Sequence, residues 1–161
     1  MKTQQLAALV FTCLLGLMPC AATAQPFVVS ADGLEVTDSA TGLIWRRCAE
    51  GMVFSLGACT GTASTFTHEL ALTRARTEAV ATGVAWRLPN VKELNSIADR
   101  SLSGPAIDTT AFPATPADHF WSSSPYVGYP ADAWLINFNN GNFNYLGRTT
   151  ALYVRLVRAG Q

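Results

Sequence analysis

Charge is scarce in this sequence and evenly balanced. Only 14% of its 161 residues are charged, with 11 Lys and Arg against 11 Asp and Glu. A chain without net charge lacks the basic field that attracts nucleic acid or an anionic membrane surface, so we predict no nucleic-acid partner. A local basic patch stays open, because Arg148, Arg155 and Arg158 lie close together in the last segment and a few guanidinium groups can bind a sulfated ligand.

Histidine is nearly absent, with two residues, which leaves little material for a zinc site or a hydrolytic triad. His68-Glu69 begins like the helical zinc motif, but Leu72 stands where the second histidine is needed. His119 follows Asp118 and precedes three serines, yet no G-x-S-x-G elbow is present. Loop aspartates could supply the oxygen ligands of calcium, but no spacing supports such a site. We predict no catalytic residue, no metal and no cofactor.

Long hydrophobic runs are absent beyond the first two dozen residues. The apolar run Leu6–Met18 follows Lys2 and precedes Ala22-Thr23-Ala24, which is typical of a signal peptide and its cleavage site. The run is shorter than the roughly 20 residues that a membrane span requires. We therefore predict a cleaved signal peptide at 1–24, a single domain at 25–161, no membrane span, and export to the periplasm, the cell surface or the medium.

Cysteine is limited to 4 residues, of which Cys13 and Cys20 fall in the predicted signal peptide. Cys48 and Cys59 remain, and two cysteines in an oxidising compartment usually pair. The segment between them would then be a pinned loop or a small hairpin. A redox-active pair is the alternative, but such pairs are typically Cys-x-x-Cys, so we predict a structural disulfide.

The remaining pattern predicts an α+β fold with two helices, short antiparallel strands and long loops. Thr67 and Gly83 are placed to start and stop the first helix, and its expected buried stripe is Leu72, Ala75, Ala79 and Val80. Asn90 and Glu93 have the spacing of a capping box for the second helix. Strands are expected over 27–29, 34–37, 43–46, from 120 onwards and over 153–157. Residues expected in the core include Trp45, Trp86, Leu88, Leu94, Trp121, Trp134 and Phe138.

Asn140-Gly141 lies between alternating residues, which predicts a hairpin closed by a two-residue turn. Pairing on that turn gives the hairpin two different faces. The face expected to be core carries Trp134, Ile136, Phe138, Phe143 and Tyr145. The other face carries Asn137, Asn139, Asn142 and Asn144, and is either solvated or a binding surface.

Tyr126 and Tyr129 lie in a proline- and glycine-containing loop just before this hairpin. Exposed aromatic rings and asparagine amides can together contact the ring and hydroxyls of a sugar. The candidate ligand-binding residues are therefore Tyr126, Tyr129, Asp132, Asn137, Asn139, Asn142, Asn144 and Arg148.

Five motifs resemble, in order, those of the Lcl C-terminal domain family, named for the end domain of a bacterial collagen-like adhesin. They are TGLIW at 41–45, WRLPNVKEL at 86–94, FWSS at 120–123, AWLINF at 133–138 with Gly141, and YVRLVR at 153–158. The resemblance spans about Leu34 to Arg158. It implies a C-type-lectin-like fold and, for the best known member, trimerisation and attachment to sulfated glycosaminoglycans. This chain departs from the pattern in lacking a Gly-x-y stalk and in carrying Leu156 where many relatives have cysteine.

Three functions follow from these observations. The leading one is an exported, non-enzymatic, adhesin-like module that binds a glycan or matrix polysaccharide. The alternative is a structural or assembly protein of the envelope that packs against a protein partner or against itself. The third is an enzyme, because the lectin-like fold also includes formylglycine-generating enzymes, whose pair of reactive cysteines is not evident here.

Overall fold

The structure, a computed structural model, describes residues 26–160. The predicted signal peptide at 1–24 lies outside the described residues. Within them, neither helix is long and apolar enough to cross a membrane. The elements are, in order, β1 (Phe27–Val29), β2 (Glu35–Asp38), β3 (Leu43–Arg46), β4 (Val53–Ser55), β5 (Ala58–Thr60), β6 (Thr65–Phe66), α1 (His68–Thr82), α2 (Val91–Ser96), β7 (His119–Pro125), β8 (Asp132–Asn137), β9 (Asn142–Gly147), β10 (Leu152–Tyr153) and β11 (Val157–Ala159).

Two sheets and a small hairpin organise these strands. The first sheet has the strand order β1-β2-β3-β11 and is antiparallel throughout. The second has the order β6-β10-β7-β8-β9 and is antiparallel except where β10 meets β7. Strands β4 and β5 pair separately. Together with α1 and α2 this is a mixed α+β fold, as the sequence predicts.

Helix α1 begins and ends where the sequence predicts, but only half of its predicted buried stripe faces the core. The hydroxyl of Thr67 accepts the amide of Leu70, and Gly83 is left-handed at the other end. The buried residues are His68, Ala71 and Ala75. Of the predicted stripe, Ala75 is buried and Ala79 packs against the core, but Leu72 is 41% and Val80 79% exposed. That part of the prediction is wrong, because small alanines are what let the helix lie close against Trp121 and the sheet.

Helix α2 has the predicted capping box. The side-chain oxygen of Asn90 accepts the amides of Lys92 and Glu93, and the Glu93 carboxylate accepts the amide of Asn90 at 2.8 Å. Glu93 also forms a bidentate pair with Arg87, at 2.7 and 2.8 Å. Leu94 then points into the core, so the cap fixes which face of this short helix is buried.

The core lies on both faces of the five-stranded sheet. Neighbouring residues of β7, Phe120 and Trp121, point to opposite faces and belong to different hydrophobic clusters. Six of the residues expected in the core are buried, namely Trp45, Trp86, Leu88, Leu94, Trp121 and Phe138. Trp134 is only half-buried and lies in neither cluster, so its assignment to the core is wrong.

The Cys48–Cys59 disulfide is present, as predicted. It closes the segment that contains the β4–β5 hairpin, where Cys59 lies opposite Phe54. The disulfide therefore replaces part of the core that so short a hairpin cannot build for itself.

The last part of the chain is not the single alternating strand that 153–157 predicts. β10 ends at Tyr153, β11 starts at Val157, and every residue between them is buried. Arg155 is among these, and its guanidinium lies 4.9 Å from the ring of Phe112. It also donates to the carbonyls of Arg46 and Arg47. The strand is thus interrupted at residues 154–156, where the Arg155 side chain turns inward to reach these carbonyls.

Candidate functional site

The β8–β9 hairpin has a different turn from the predicted one. Asn137 lies opposite Asn142 and Trp134 opposite Tyr145, so residues 138–141 form a four-residue turn in which the amide of Gly141 donates to the carbonyl of Asn137 at 2.7 Å. The two-residue turn is wrong because Phe138 is drawn into the core. Its ring meets Phe120 edge-on at 5.0 Å, which removes it from the ladder.

The four predicted asparagines do not form one binding face. Asn139 lies in the turn, whereas Asn137, Asn142 and Asn144 share a face of the sheet by strand alternation. The side-chain oxygen of Asn137 accepts the amide of Asn139, and that of Asn144 accepts the amide of Tyr145, both at 2.8 Å. Two of these side chains thus hold the hairpin's own backbone.

The opposite face of the hairpin carries a group of four rings that we call the aromatic cluster: Tyr126, Tyr129, Trp134 and Tyr145. Tyr126 stacks on Tyr145 with ring centroids 4.2 Å apart and meets Trp134 edge-on at 5.0 Å. Tyr129 stacks on the same Tyr126 ring at 5.8 Å. The rings therefore pack mainly against one another.

The aromatic cluster is partly open to solvent. Tyr129 is 62% and Tyr145 39% exposed. On the same face of β8, Ile136 is buried in one cluster with Leu94 of α2. Trp134, two residues away along the strand, lies outside that cluster, because a helix as short as α2 covers only part of the sheet. Tyr145 is not among the site residues predicted from the sequence. Its place beside Trp134 follows only from the observed register of β8 and β9.

The loop that carries Tyr126 and Tyr129 is held by its own backbone. The amide of Tyr126 donates to the carbonyl of Asp132, and the amide of Asp132 donates to the carbonyl of Tyr129 at 2.9 Å. Asp132 also starts β8 opposite Gly147. The tyrosines consequently sit on a short, closed loop anchored at the end of the sheet.

Arg148 lies apart from the aromatic cluster. Its Nε donates to the carbonyl of Asp132 at 3.3 Å, but its side chain lines a hollow of about 280 Å³ at the start of α1, with His68 and Glu69. The start of α1 packs on the other side of the sheet, with Trp121. Of the predicted site residues, the structure brings together Tyr126, Tyr129 and the backbone of Asp132, and it leaves Arg148 on the α1 side.

The three arginines of the last segment do not form a basic patch. Arg155 is fully buried. Arg158 pairs with Glu35 at 2.6 Å and lies over the ring of Trp86. Arg148 lines the hollow at the start of α1, whereas Arg158 lines a different hollow, next to residues 83–85. The local patch that the sequence left open is therefore not assembled.

The histidines are engaged in structural contacts. His68 is buried, its Nε2 donates to the carbonyl of Ser122 at 3.0 Å, and burial lowers its pKa below the ordinary value. His119 Nδ1 lies 2.7 Å from Asp118, while the Ser122 hydroxyl donates to the carbonyl of Trp134. Within residues 26–160 no group of three or more His, Cys, Asp or Glu is arranged to hold a metal ion.

A family model, described as the Lcl C-terminal domain, matches residues 34–158. That range includes α1, α2, the disulfide and the whole aromatic cluster. No curated protein matches the chain.

Proposed function

This chain belongs to the Lcl C-terminal domain family, and from that premise we propose that it is an exported, non-enzymatic module that binds a glycan through the aromatic cluster. One observation carries the proposal: four aromatic rings converge at one end of the sheet, and two of them, Tyr129 and Tyr145, remain exposed. The C-type-lectin-like identity of the fold is part of the same proposal.

The chemistry of the aromatic cluster suits a sugar. Aromatic faces offer a rigid apolar surface to the C–H face of a pyranose, and tyrosine hydroxyls can bond to its hydroxyl groups. Tyr126 is braced between Tyr129 and Tyr145, which reduces the side-chain freedom that a ligand would have to restrict. The rings lie on an open surface, so an extended polysaccharide chain fits better than a monosaccharide enclosed in a pocket.

The positions of the arginines bear on which glycan is favoured. Recognition of sulfate groups uses several guanidinium groups placed together. Here Arg155 is buried, Arg158 is paired with Glu35, and Arg148 lies on the α1 side of the sheet. This dispersal favours ring stacking over sulfate recognition as the main source of affinity.

A non-enzymatic role agrees with the state of the cysteines. Formylglycine chemistry needs a pair of reactive thiols, whereas Cys48 and Cys59 are bonded to each other. The disulfide joins Cys59 of β5 to Cys48, which precedes the β4–β5 hairpin, and such stapling of a short segment is a typical use of a disulfide in an exported domain.

The test is a glycan array that includes neutral polysaccharides and sulfated glycosaminoglycans, with and without calcium, read with the parent protein and three variants. We expect saturable binding that falls about tenfold, or 1.4 kcal/mol, in Tyr129→Ala and in Tyr145→Ala. Phe143→Ala is the matched control, because Phe143 is also an exposed ring on β9, 44% exposed, but packs against Arg100 instead of the aromatic cluster.

Two results would contradict the proposal. One is a blank array with protein that is folded by circular dichroism. The other is binding that survives in both tyrosine variants or is lost equally in Phe143→Ala, because either would place the ligand elsewhere.

A further inference from the structure

The outward surface of α1 carries an ordered row of side chains that the fold does not use. Glu69, Leu72, Arg76 and Val80 recur at spacings of three and four residues, which aligns them along one side of a helix. The core-facing residues of α1, among them Ala71 and Ala75, lie on its other side. We call this row the α1 ridge. Its two apolar members are exposed, Val80 to 79%.

The charges of the α1 ridge are unpaired, whereas those next to them are not. Arg74 bonds both Glu50 and Glu78 at 2.6 and 2.8 Å. Among the ion pairs within residues 26–160, none involves Glu69 or Arg76. One negative and one positive group on the ridge are thus left for a contact outside the fold.

A groove runs alongside the α1 ridge. It has a volume of about 590 Å³ and lies between α1 and the segment at 85–88, with Ala75, Trp86 and Leu88 in its apolar floor. Arg76 and Arg87 line it, and no carboxylate does. A ridge beside a groove is the surface relief by which helices pack on one another.

The order of charges on the ridge is self-complementary. Glu69 and Arg76 lie equally far along the helix from the point between Leu72 and Thr73. A second α1 that runs antiparallel across a two-fold axis at that point therefore meets each Glu69 with an Arg76, and sets Leu72 against Leu72. Such an isologous contact satisfies both charges at once. A parallel pair of helices would instead set each Glu69 against Glu69 and each Arg76 against Arg76.

We propose that the α1 ridge is the interface through which two copies of this chain associate as an antiparallel helix pair. This goes beyond the glycan-binding function, because the aromatic cluster lies on the opposite side of the sheet and stays open in the pair. A helix of 15 residues is only about 22 Å long, at about 1.5 Å per residue. We therefore expect a contact between two such helices to bury less than the roughly 1,200 Å² of a stable interface, and the dimer to be weak and concentration-dependent.

The test is sedimentation velocity from the low micromolar to the sub-millimolar range on four proteins: the parent, Glu69→Arg, Arg76→Glu and the double swap. Each single reversal turns two attractions into two repulsions, so we expect dimerisation to weaken about tenfold or more. The double swap rebuilds both pairs with exchanged signs and is expected to restore the parent's dissociation constant. Lys92→Glu, at an exposed position on α2, is the matched control and should leave dimerisation unchanged.

Restoration in the double swap separates the interface from a folding effect, because the double variant carries the same Arg at 69 in the first turn of α1 as the single one. A parent that stays monomeric over the whole range would overturn the proposal. A dimer that is indifferent to the single reversals, or that the double swap does not restore, would overturn it as well.

Discussion

Arg155 holds three parts of the chain together, and its replacement tests that role. Its guanidinium donates to the carbonyl of Arg46 at 2.9 Å, to the carbonyl of Arg47, and to the hydroxyl of Thr115 at 2.7 Å. Burial lowers the pKa of Arg155 to about 9, an effect that the Glu50 carboxylate opposes. At neutral pH the group is therefore charged, buried and dependent on these acceptors.

We expect Arg155→Met to lower the free energy of unfolding by about 3–5 kcal/mol, because two backbone carbonyls and one hydroxyl lose a buried, charged donor. The buried acceptors left without a donor cost about 1–3 kcal/mol each, and part of this is recovered because the charge no longer has to be desolvated. At about 2–4 °C for each kcal/mol, the melting temperature should fall by roughly 6–20 °C.

The assay is urea unfolding followed by circular dichroism, with the disulfide intact. Lys92→Met is the control, since it replaces an exposed cation with the same residue, and it should stay within about 0.5 kcal/mol of the parent. A loss below about 1 kcal/mol for Arg155→Met would refute the reasoning. It would mean that the packing of the methionine stabilises the protein about as much as the hydrogen bonds of the arginine.

Two further predictions concern single side chains. Asn137→Ala removes the acceptor of the Asn139 amide and should destabilise the protein by about 1 kcal/mol; an unchanged urea midpoint would show that the four-residue turn holds without it. His68 has a folded-state pKa below its ordinary 6.5, mainly because it is buried. The unfolded chain therefore binds the proton first, and stability falls as the pH drops below about 6.5. His68→Gln, which keeps a donor, should reduce that slope by up to about 1.4 kcal/mol per pH unit; equal slopes would contradict this.

The parts of the fold predicted correctly are those that local chemistry decides. Thr67 and Gly83 delimit α1, and Asn90 with Glu93 caps α2, because each signal acts within a few residues of backbone. The Cys48–Cys59 disulfide, which joins residues only 11 apart in the sequence, is local in the same sense. Such features need no knowledge of what packs against them.

The parts predicted wrongly depend on contacts between distant segments. Phe138 leaves the ladder because it packs on Phe120, and the shift brings Trp134 opposite Tyr145. Which residues of α1 are buried depends on the extent of the sheet surface around Trp121, and Leu72 lies beyond that surface and stays exposed. Alternation in the sequence predicts that a strand has two different faces, but it does not predict which of them a neighbouring helix covers.

The candidate site shows the same division. Tyr126 and Tyr129 are predicted as an aromatic platform because proline and glycine mark their loop. Trp134 is assigned to the core, and Tyr145 is missed, because both depend on the register of β8 and β9 and on how far α2 extends. The asparagines had the right chemistry for a ligand, but their backbone bonds could not be inferred from composition.

The first sheet is completed by the last strand, and this has a consequence for when the protein can fold. β11 pairs with β3, and Arg155 reaches back to Arg46 across 109 residues. Closing so long a loop is entropically unfavourable until pairing is complete, which slows folding. Until β11 has been synthesised and has left the ribosome, the first sheet lacks the strand that completes it, so we expect its native structure to form only after that point.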